Sequence, residues 1–479
     1  MIPKLEEQKI VGTVYRMVNS VSFHSSAFPK KVGPFTRAEA LGRDDGEGRS
    51  KVLGRDGKIR ESNAASPSPR YDMFGSGEKR KANSKQRNCE PQANASRQYG
   101  SAIVWSFTPM IGEVTRAQVA ASGPTASLLY DDWYPALRSS EVGGKRMATA
   151  MLLGIPLVLG RTAAGKYFAM RDTCPHRGIP LSYGWFDGQQ VTCKYHGWAF
   201  EPVSGQCCNI PSLTSQDALD PSRIFAAAFP CEERDGHVWV FVPQPGRGRS
   251  RPDVAQLPTV PEVPKFSQRY RTAHLWAELP CNMDHGIIGL MDPAHGPFVH
   301  NAWWWRTRRS IHEKAKQFEP IENGFRMTAH QPSANSAPYK LLGVYGQPIT
   351  TTIDFVLPNR RYETIRCGDK WFASLTTVTP TAENQCRIDV CAAWNIFLNV
   401  PFLTPIAKFF GRRFVGQDQL TMIQQAEGLK HNPSLMLIDD ADRPAKWYFE
   451  LKQARLESQA TGAPMRHPMS GPVTLRWRS

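Results

Sequence analysis

Two short stretches that each pair a cysteine with a histidine constrain this chain more than any other part of its sequence. Cys174-Pro-His176 is followed, after sixteen intervening residues, by Cys193-Lys-Tyr-His196. Each stretch lets a short loop point one thiolate and one imidazole at the same place. Zinc accepts such donors, but its cysteines and histidines usually come in separate pairs. A 2Fe-2S cluster with two cysteines on one iron and two histidines on the other suits mixed pairs better.

The sequence around these residues resembles the Rieske family, with CPHRG in the first stretch and CKYHGW in the second. Respiratory Rieske proteins carry one extra cysteine in each loop, and this chain does not. The resemblance is therefore to the oxygenase and ferredoxin branch. It implies two ligand pairs, Cys174 and Cys193 for the inner iron, and His176 and His196 for the outer iron.

The net charge of +16 raises the question of nucleic-acid binding. Residues 1–125 hold 20 basic and 12 acidic side chains, so half of the excess lies in one segment. The rest of the chain has no stripe of Lys and Arg interleaved with aromatic residues. We therefore expect no nucleic-acid partner.

The cysteines and the apolar stretches of the sequence indicate the cellular compartment in which the protein is expected. The ten cysteines lack disulfide-like spacing, which favours a reducing compartment. The first residues contain no secretory apolar segment, and the longest uncharged stretch, 390–407, is interrupted by Asn and Pro. We expect a cytoplasmic protein, with targeting to an organelle as the alternative. Residues 402–414 mix Phe and Leu with Lys and Arg and are a candidate for membrane-surface contact.

Composition divides the chain into four segments. Residues 1–127 alternate polar and charged clusters without a sustained period, which predicts a disordered extension. Residues 128–246 carry the Cys/His stretches among short strand-like pieces, such as GHVWVFVP at 236–243, and form the predicted Rieske 2Fe-2S domain. Residues 247–258 are a Gly/Pro/Arg-rich linker. Residues 259–479 form the predicted catalytic domain.

The predicted fold class is α+β. A small antiparallel β domain is followed by a domain of helix-grip type, a curved antiparallel sheet with helices. In this second domain we predict strands at 266–278, 349–356, 363–367, 371–379 and 387–397, and helices at 418–429 and 443–460.

A second metal site is indicated by the segment MDPAHGPFVH, residues 291–300. Its spacing presents two imidazoles, His295 and His300, that can take neighbouring positions on one ion. A distant carboxylate would complete a set of two histidines and one carboxylate, which leaves one face of the metal open. Alone, this spacing is a weak signal, because structural and surface histidines are common. Downstream of the Cys/His stretches it becomes specific.

Together the two sites resemble the catalytic subunits of Rieske non-heme iron oxygenases. The resemblance implies that His295 and His300 bind a mononuclear Fe(II). Asp292 matches the aspartate that joins an iron histidine to a cluster histidine of the neighbouring subunit. The late motif VGQDQLTMIQQ points to Asp418 as the third ligand. A solvated aspartate at a helix start is the alternative for Asp418, and three other carboxylates compete with it, Asp439, Asp440 and Asp442.

One departure from the family pattern lies before Asp292. The family often has Glu-Asn four and three residues earlier, whereas this chain has Ile288 and Gly289. Asn282 still matches the asparagine that opens the motif. The departure bears on how water is positioned near the iron and leaves the three ligands intact.

The resemblance implies that the cluster delivers electrons to Fe(II) and that dioxygen is the co-substrate. The sequence around the second site contains many aromatic residues, including three adjacent tryptophans at 303–305. In this it resembles the branch of the family with pheophorbide a oxygenase and other single-subunit-type monooxygenases. We expect hydroxylation, demethylation or ring opening of a small hydrophobic substrate, aromatic or tetrapyrrole-like. The alternatives are a ring-hydroxylating dioxygenase and a Rieske electron-transfer protein without oxygenase activity.

The electron donor is expected to be a separate protein. The sequence shows no GxGxxG nucleotide-binding unit and no plant-type ferredoxin loop. A ferredoxin, an NAD(P)H-dependent reductase or both would supply the electrons, and Arg177 and Lys194 beside the cluster ligands suit an acidic ferredoxin. The resemblance also implies a homotrimer, because the electron would cross between subunits.

Overall fold

The structure, a computed structural model, describes residues 128–245, 254–302, 305–332, 339 and 342–479. The predicted disordered extension lies outside this part, as do most of the predicted linker and the tryptophans at 303 and 304. The elements given below are those of the described residues.

Residues 128–245 form three small antiparallel sheets. Their strands are β1 (Asp132–Arg138), β2 (Ala148–Leu152), β3 (Ile155–Arg161), β4 (Tyr167–Arg171), β5 (Trp185–Phe186), β6 (Val191–Thr192), β7 (Ala199–Phe200), β8 (Cys207–Asn209), β9 (Ala228–Phe229), β10 (Cys231–Arg234) and β11 (His237–Val242). The strand orders are β1-β11-β10, β2-β3-β4-β9 and β5-β6-β7-β8. Short 3-10 helices lie at Ser139–Glu141, Leu181–Tyr183 and Pro221–Arg223.

The apolar run before the first Cys/His stretch folds as two strands, β2 and β3, joined by a tight turn. Leu152 pairs with Ile155, and the two residues between them, Leu153 and Gly154, both have left-handed backbone angles, with φ of 51° and 74°. Such a two-residue turn matches the twist of antiparallel strands. The strand predicted at 236–243 is the fully buried central strand β11.

Beyond residue 254 the chain forms one eight-stranded antiparallel sheet, with helices. Its strands are β12 (Arg271–Leu279), β13 (Glu313–Ile321), β14 (Gly324–His330), β15 (Ile349–Val356), β16 (Arg360–Cys367), β17 (Lys370–Ala382), β18 (Gln385–Trp394) and β19 (Val473–Arg478). The order is β12-β18-β17-β16-β15-β14-β13-β19. The helices are α1 (Met283–Met291), α2 (Gly296–Val299), α3 (Leu403–Leu429) and α4 (Arg443–Thr461), with 3-10 helices at Val254–Gln256 and Arg308–Ser310. The predicted α+β class is confirmed.

Helix α3 begins fifteen residues before the helix that the sequence predicts. The first turns of α3 are not predicted from the sequence because they contain Gly411, and glycine is unfavourable in the interior of a helix. The structure supplies the reason for this glycine. A Cβ atom at position 411 would lie 2.3 Å from Cδ1 of Leu275, so α3 can approach β12 only if the side chain is absent. None of the described helices is both long enough and apolar enough to cross a membrane.

The two faces of the large sheet are buried against different partners. On one face, Val378 and Ile388 belong to a core shared with Ile287 of α1 and Tyr448 of α4. On the other face, side chains of the sheet pack against strands β1 and β11, and these form a second core with Trp133, Trp239, Phe241, Trp371, Leu375, Cys391 and Ala393. The sheet is therefore held between the helices and the small β sheets.

A half-buried arginine connects the small sheets to the large one. Arg387 of β18 donates from Nη1 to the carbonyl of Ala136 (2.8 Å) and from Nη2 to that of Pro135 (3.0 Å). Its Nε donates to Asp389 Oδ2 at 2.7 Å. Burial raises the pKa of Asp389, but Arg387 and His237 outweigh it and the net pKa is lowered. The ion pair therefore keeps a charged carboxylate inside the joint.

A second buried ion pair holds α1 against α4. Oδ1 of Asp284, in the first turn of α1, accepts from the hydroxyl of Tyr448 and from Nζ of Lys452, both at 2.6 Å. Tyr448 is completely buried and Lys452 is 7% exposed. Removing one partner of such a pair leaves the other charge without compensation.

Replacing Lys452 with methionine should lower the free energy of unfolding by about 1–3 kcal/mol, because the Asp284 side chain loses its ion-pair partner. Urea denaturation followed by tryptophan fluorescence measures the change. The exposed Lys430→Met variant should stay within about 0.5 kcal/mol of the parent. The double variant Asp284→Asn/Lys452→Met should recover part of the loss. Equal changes in the free energy of unfolding for Lys452→Met and Lys430→Met would show that the ion pair with Asp284 does not stabilise the fold.

Candidate metal centres

The two Cys/His stretches adopt the same backbone hydrogen-bond pattern. The amide N–H of Cys174 donates to the carbonyl of Ile179 (2.9 Å), and the N–H of Gly178 donates back to the carbonyl of Cys174 (2.9 Å). In the second loop, Cys193 N–H donates to the carbonyl five residues on (2.8 Å), and Gly197 N–H donates to Cys193 O (3.0 Å). The chain thus builds one loop shape twice.

A glycine at the same place closes each loop. Gly178 has φ of 76° and Gly197 has φ of 73°, in the left-handed region that side chains disfavour. Each glycine lies four residues after the cysteine. This spacing, Cys-x3-Gly, is visible in the sequence and fixes where each loop turns back.

The donor atoms form an inner and an outer pair. The two thiols are buried, each 2% exposed, and lie within hydrogen-bonding reach of one another. The two imidazoles lie further out, His176 exposed and His196 half-buried, with ring centroids 4.6 Å apart. No three of these four donors converge within 4.8 Å. A single tetrahedral ion would need them closer together, so the arrangement fits a two-iron cluster better than a zinc knuckle.

Burial also bears on the chemistry of the inner pair. It raises the pKa of the Cys174 thiol to about 11, with a further contribution from Cys193. Near neutral pH this thiol keeps its proton unless a metal takes its place. The two adjacent buried thiols would therefore lose their protons when a metal group binds, as cysteine ligands do.

Two supports of these loops were not anticipated from the sequence. Trp198 stacks on the ring of His176 with centroids 4.5 Å apart and an interplanar angle of 5°. Asp172, which is 9% exposed, accepts from the backbone N–H (2.7 Å) and hydroxyl (2.6 Å) of Ser182. The first contact fixes the orientation of an outer imidazole, and the second fixes the chain before the first loop.

The second centre brings together three side chains from two segments. The Nε2 atoms of His295 and His300 lie 3.1 Å apart. Oδ1 of Asp418 lies 3.2 Å from His300 Nε2 and 3.9 Å from His295 Nε2. Donor atoms bound about 2.1 Å from one ion at right angles lie about 3 Å apart. The three atoms therefore fit one triangular face of an octahedral metal site.

Short helix α2 gives the two histidines their spacing. His295 precedes its first residue and His300 follows its last, with the His300 N–H donating to the carbonyl of Gly296 (3.1 Å). His300 is 2% exposed, whereas the side chains of His295 and Asp418 are 26% and 28% exposed. The site is thus closed behind His300 and accessible beside the other two residues.

The far nitrogen of His300 is also held. Its Nδ1 lies 3.2 Å from Oε1 of Gln417, so an N–H at Nδ1 can donate there and leave Nε2 free to bind a metal. Phe414 stacks on the same ring, with centroids 3.6 Å apart and an interplanar angle of 13°. Phe414 is four residues before Asp418 on α3, the spacing of one helix face. That spacing could have identified Phe414 from the sequence, and nothing local identifies Gln417.

Asp292 lies beside His295 rather than among the three donor atoms. Its Oδ2 is 3.6 Å from His295 Nδ1, and its Oδ1 accepts from the N–H of Ala294 at 2.6 Å. Burial lowers the pKa of His295, but Asp292 and Asp418 outweigh it, and the net pKa is raised. Asp292 is therefore placed to orient the imidazole through the nitrogen that faces away from Asp418.

The three carboxylates that compete with Asp418 serve local structure. Asp439 Oδ1 pairs with Lys446 Nζ at 2.7 Å. Asp440 Oδ2 accepts from the N–H of Arg476 (2.9 Å), and Asp442 Oδ2 from that of Ile438 (2.8 Å). None of them belongs to the three-donor group with His295 and His300.

The glycine of the departure at Ile288 and Gly289 has a packing explanation. A Cβ atom at position 289 would lie 3.3 Å from Cε of Met422, so α1 meets α3 closely at this glycine. Asn282 caps α1, with its Oδ1 accepting from the N–H of His285 at 3.0 Å. Helix contact thus occupies the place where the family often has a polar pair.

Comparison with known proteins identifies the first domain. Residues 132–229 match the family model described as Rieske [2Fe-2S] domain. Chlorophyllide a oxygenase of Arabidopsis thaliana is 29% identical over 323 residues, covering 65% of this chain and 55% of the relative. Protein TIC 55 of Pisum sativum is 26% identical, covering 68% and 55%. The oxygenase subunit of 3-chlorobenzoate-3,4-dioxygenase from Comamonas testosteroni is 33% identical, covering 38% and 40%. The chain thus spans about half, or less, of the length of these relatives.

A solved structure extends the likeness to the rest of the described fold. Dicamba monooxygenase bound to dicamba superposes with a TM-score of 0.56 and 20% identity, covering 70% of this chain and all of that one. At this identity the comparison establishes the fold alone. The predicted recognition is confirmed: the chain carries a Rieske [2Fe-2S] domain and is homologous to chlorophyllide a oxygenase, TIC 55 and the oxygenase subunits of Rieske dioxygenases.

Proposed function

We propose that this chain is the catalytic component of a Rieske non-heme iron oxygenase. The observation that carries the proposal is the group of three donor atoms, His295 Nε2, His300 Nε2 and Asp418 Oδ1, within 3.9 Å of one another in a chain that also has a Rieske domain. Two histidines and one carboxylate on one face are the ligand set of non-heme Fe(II) oxygenases. A Rieske protein that only carries electrons would not need the ligands of a second, mononuclear metal.

The ligands divide between two metal groups. Cys174 and Cys193 would hold the inner iron of the 2Fe-2S cluster, His176 and His196 the outer iron, and the three donors of the second centre a mononuclear Fe(II). When bound, these groups would supply stored electrons and the activation of dioxygen. The chain's own residues orient and shield them.

Three residues around the mononuclear site have roles of this kind. Gln417 holds His300 in the tautomer that presents Nε2, and Phe414 covers one face of the ring and excludes water from it. Asp292 can accept the N–H of His295 at Nδ1. Because the Asp292 side chain is 30% exposed, it can also accept from a cluster histidine of a neighbouring subunit.

A homotrimer would supply that neighbouring subunit, so the two centres that exchange electrons would belong to different copies of the chain. Light scattering on the full chain tests the assembly directly. A monomeric mass under the conditions of turnover would contradict it.

The substrate is proposed to be a small hydrophobic molecule, aromatic or tetrapyrrole-like. Around His300 the walls are aromatic, with Trp305 packed edge-on against Phe414 at 5.3 Å. The relatives' names refer to chlorophyllide a and to 3-chlorobenzoate, a tetrapyrrole and an aromatic acid. Hydroxylation, demethylation and ring opening are the expected monooxygenase outcomes. Dihydroxylation of an aromatic ring is the second candidate, supported by the 33% identity to the dioxygenase subunit.

A ferredoxin, a reductase or both are proposed as electron donors. His176 reaches the surface, and Arg177 and Lys194 beside the ligands are exposed. Their positive charge would steer an acidic ferredoxin towards the outer imidazoles.

The cellular location is best proposed from the relatives. Chlorophyllide a oxygenase and TIC 55 are both named as chloroplastic, which favours the organelle alternative over the expected cytoplasmic location. Membrane-surface contact remains a proposal for 402–414, where Phe402 and Phe409 are 75% and 55% exposed. Flotation of the full chain with anionic vesicles tests the contact.

Metal analysis tests the two centres. Anaerobically purified parent should contain about three iron atoms and about two acid-labile sulfides per chain. Asp418→Ala should contain about two irons with an unchanged cluster spectrum, because only the mononuclear site loses a ligand. The matched control Asp439→Ala should keep about three. About two irons in the parent would remove the oxygenase proposal.

Turnover under ¹⁸O₂ separates the two oxygenase outcomes. The assay combines the full chain with ferredoxin, reductase and NADPH, and offers chlorophyll-type tetrapyrroles and chlorinated benzoates. A hydroxylating monooxygenase places one labelled atom in the product, a demethylase releases the labelled atom in formaldehyde, and a dihydroxylating enzyme places two labelled atoms in the product. Mass spectrometry of the products measures the label, and hydrogen peroxide without any oxidised or demethylated product from these substrates would contradict the substrate proposal.

Replacing Asp292 with asparagine should separate iron binding from electron transfer. We expect turnover to fall about 10–100-fold, while iron content and cluster spectrum stay as in the parent, because Asp292 acts on His295 and does not bind the metal. Rapid mixing of the reduced variant with oxygen and substrate should show slower oxidation of the cluster. Loss of the mononuclear iron would instead make Asp292 a ligand.

A further inference from the structure

A second group of metal-binding side chains lies where the small sheets meet the large one. His237 of β11, His274 of β12 and Cys391 of β18 each offer a donor atom, and the three atoms lie within 4.8 Å of one another. Among the described residues, the mononuclear iron ligands form the other such group. The oxygenase mechanism uses none of these three residues.

Strand pairing fixes two members of the group. His274 and Cys391 are direct cross-strand partners of the antiparallel pair β12–β18, so their side chains point to the same face of the sheet. His237 enters from the other domain, with its ring centroid 5.2 Å from that of His274. The three donors therefore come from separate strands of two domains.

Two buried nitrogens of this group make no hydrogen bond. His237 is 4% exposed, and its Nε2 is beyond hydrogen-bond distance of the nearest carboxylate oxygen, Asp389 Oδ1, at 3.7 Å. Nδ1 of His274 is also buried without a partner. An unpartnered buried polar atom costs free energy, and an ion between these nitrogens would remove that cost.

A glycine, Gly236, packs directly against the ring of His274. A Cβ atom at Gly236 would lie 2.8 Å from His274 Cε1, so the neighbouring turn can approach the ring only because this residue is glycine. A cavity of about 10 Å³ adjoins the group on the side of His237 and Cys391, and His274 does not line it. This space is about the size of one water molecule and is too small for an organic ligand.

Two imidazoles and one thiolate form a donor set that zinc prefers. A fourth donor is close, because Oδ1 of Asp389 lies 3.7 Å from His237 Nε2. The opposite oxygen of that carboxylate is held by Arg387, so the carboxylate is fixed in direction. Binding would replace the thiol proton of Cys391, which would pass to solvent.

We propose that His237, His274 and Cys391 bind one zinc ion that fastens the Rieske domain to the large sheet. The ion would cross the seam beside the bonds that Arg387 makes to β1. This inference does not depend on the oxygenase function, since it concerns the joint and not the reaction.

The sulfur count around bound zinc tests the proposal. Iron-loaded full-length protein is incubated with zinc chloride, passed through a desalting column and analysed for zinc. We expect about one retained zinc per chain, with one sulfur and two imidazole nitrogens in its X-ray absorption spectrum. Zinc misplaced in the Rieske loops would show two sulfurs, and zinc in the mononuclear site would show none. Either result, or the absence of retained zinc, overturns the proposal.

Variants give an independent check. His274→Gln/Cys391→Ser should lose at least about 90% of the retained zinc and keep both iron centres. The matched control Cys367→Ser changes another buried cysteine, whose thiol contacts the carbonyls of Leu342 and Gln347, and should retain zinc like the parent. Undiminished zinc in the double variant would overturn the proposal. If the double variant does not fold, the sulfur count in the parent decides.

Discussion

The packing of α3 against the segment that carries His295 and His300 is the contact on which the domain of the large sheet depends. Asp418 is more than a hundred residues from these histidines, and most of the large sheet lies between them in sequence. Contacts at Met422 with Gly289 and at Phe414 with His300 bring the two segments together. A shift of one turn along α3 would move Asp418 by about 5 Å and dissolve the triangle of donor atoms.

The rest of the fold can be understood as support for that contact. Helix α1, which leads into the histidine segment, is fixed to α4 through Asp284 and its two buried partners. Beneath the helices, the sheet supplies a continuous apolar surface, and Gly411 lets α3 settle on β12. Buried charges therefore set the positions of the elements, while apolar burial supplies most of the free energy.

How much the sequence predicts depends on how far apart the partners are. Cys174 with His176, and His295 with His300, are close in sequence, so the sequence shows each as a pair. The histidine pair is specific only because it follows the Cys/His stretches. The strands at 349–356 and 371–379 are predicted because apolar residues and threonines dominate them, whereas β13, β14 and β19 are missed. Three of the first four residues of β13 are charged, which masks its apolar pattern, and the short β19 alternates apolar and polar residues as an edge strand does. Gln417 beside His300, and the group of His237, His274 and Cys391, could not be predicted. Their members meet only through strand order and helix packing.

Strand β18 has a different neighbour on each of its faces. Arg387, Asp389 and Cys391 alternate along one face and meet the Rieske domain, while Cys386, Ile388 and Val390 alternate along the other and meet the helical core. Because side chains of a strand change faces at every residue, a slip of one residue would bury the charges among the helices and aim the apolar residues at the joint. Such a slip would destabilise the packing on both faces of β18. The alternation along this one strand therefore favours both the correct register of the sheet and the correct packing of the small sheets against it.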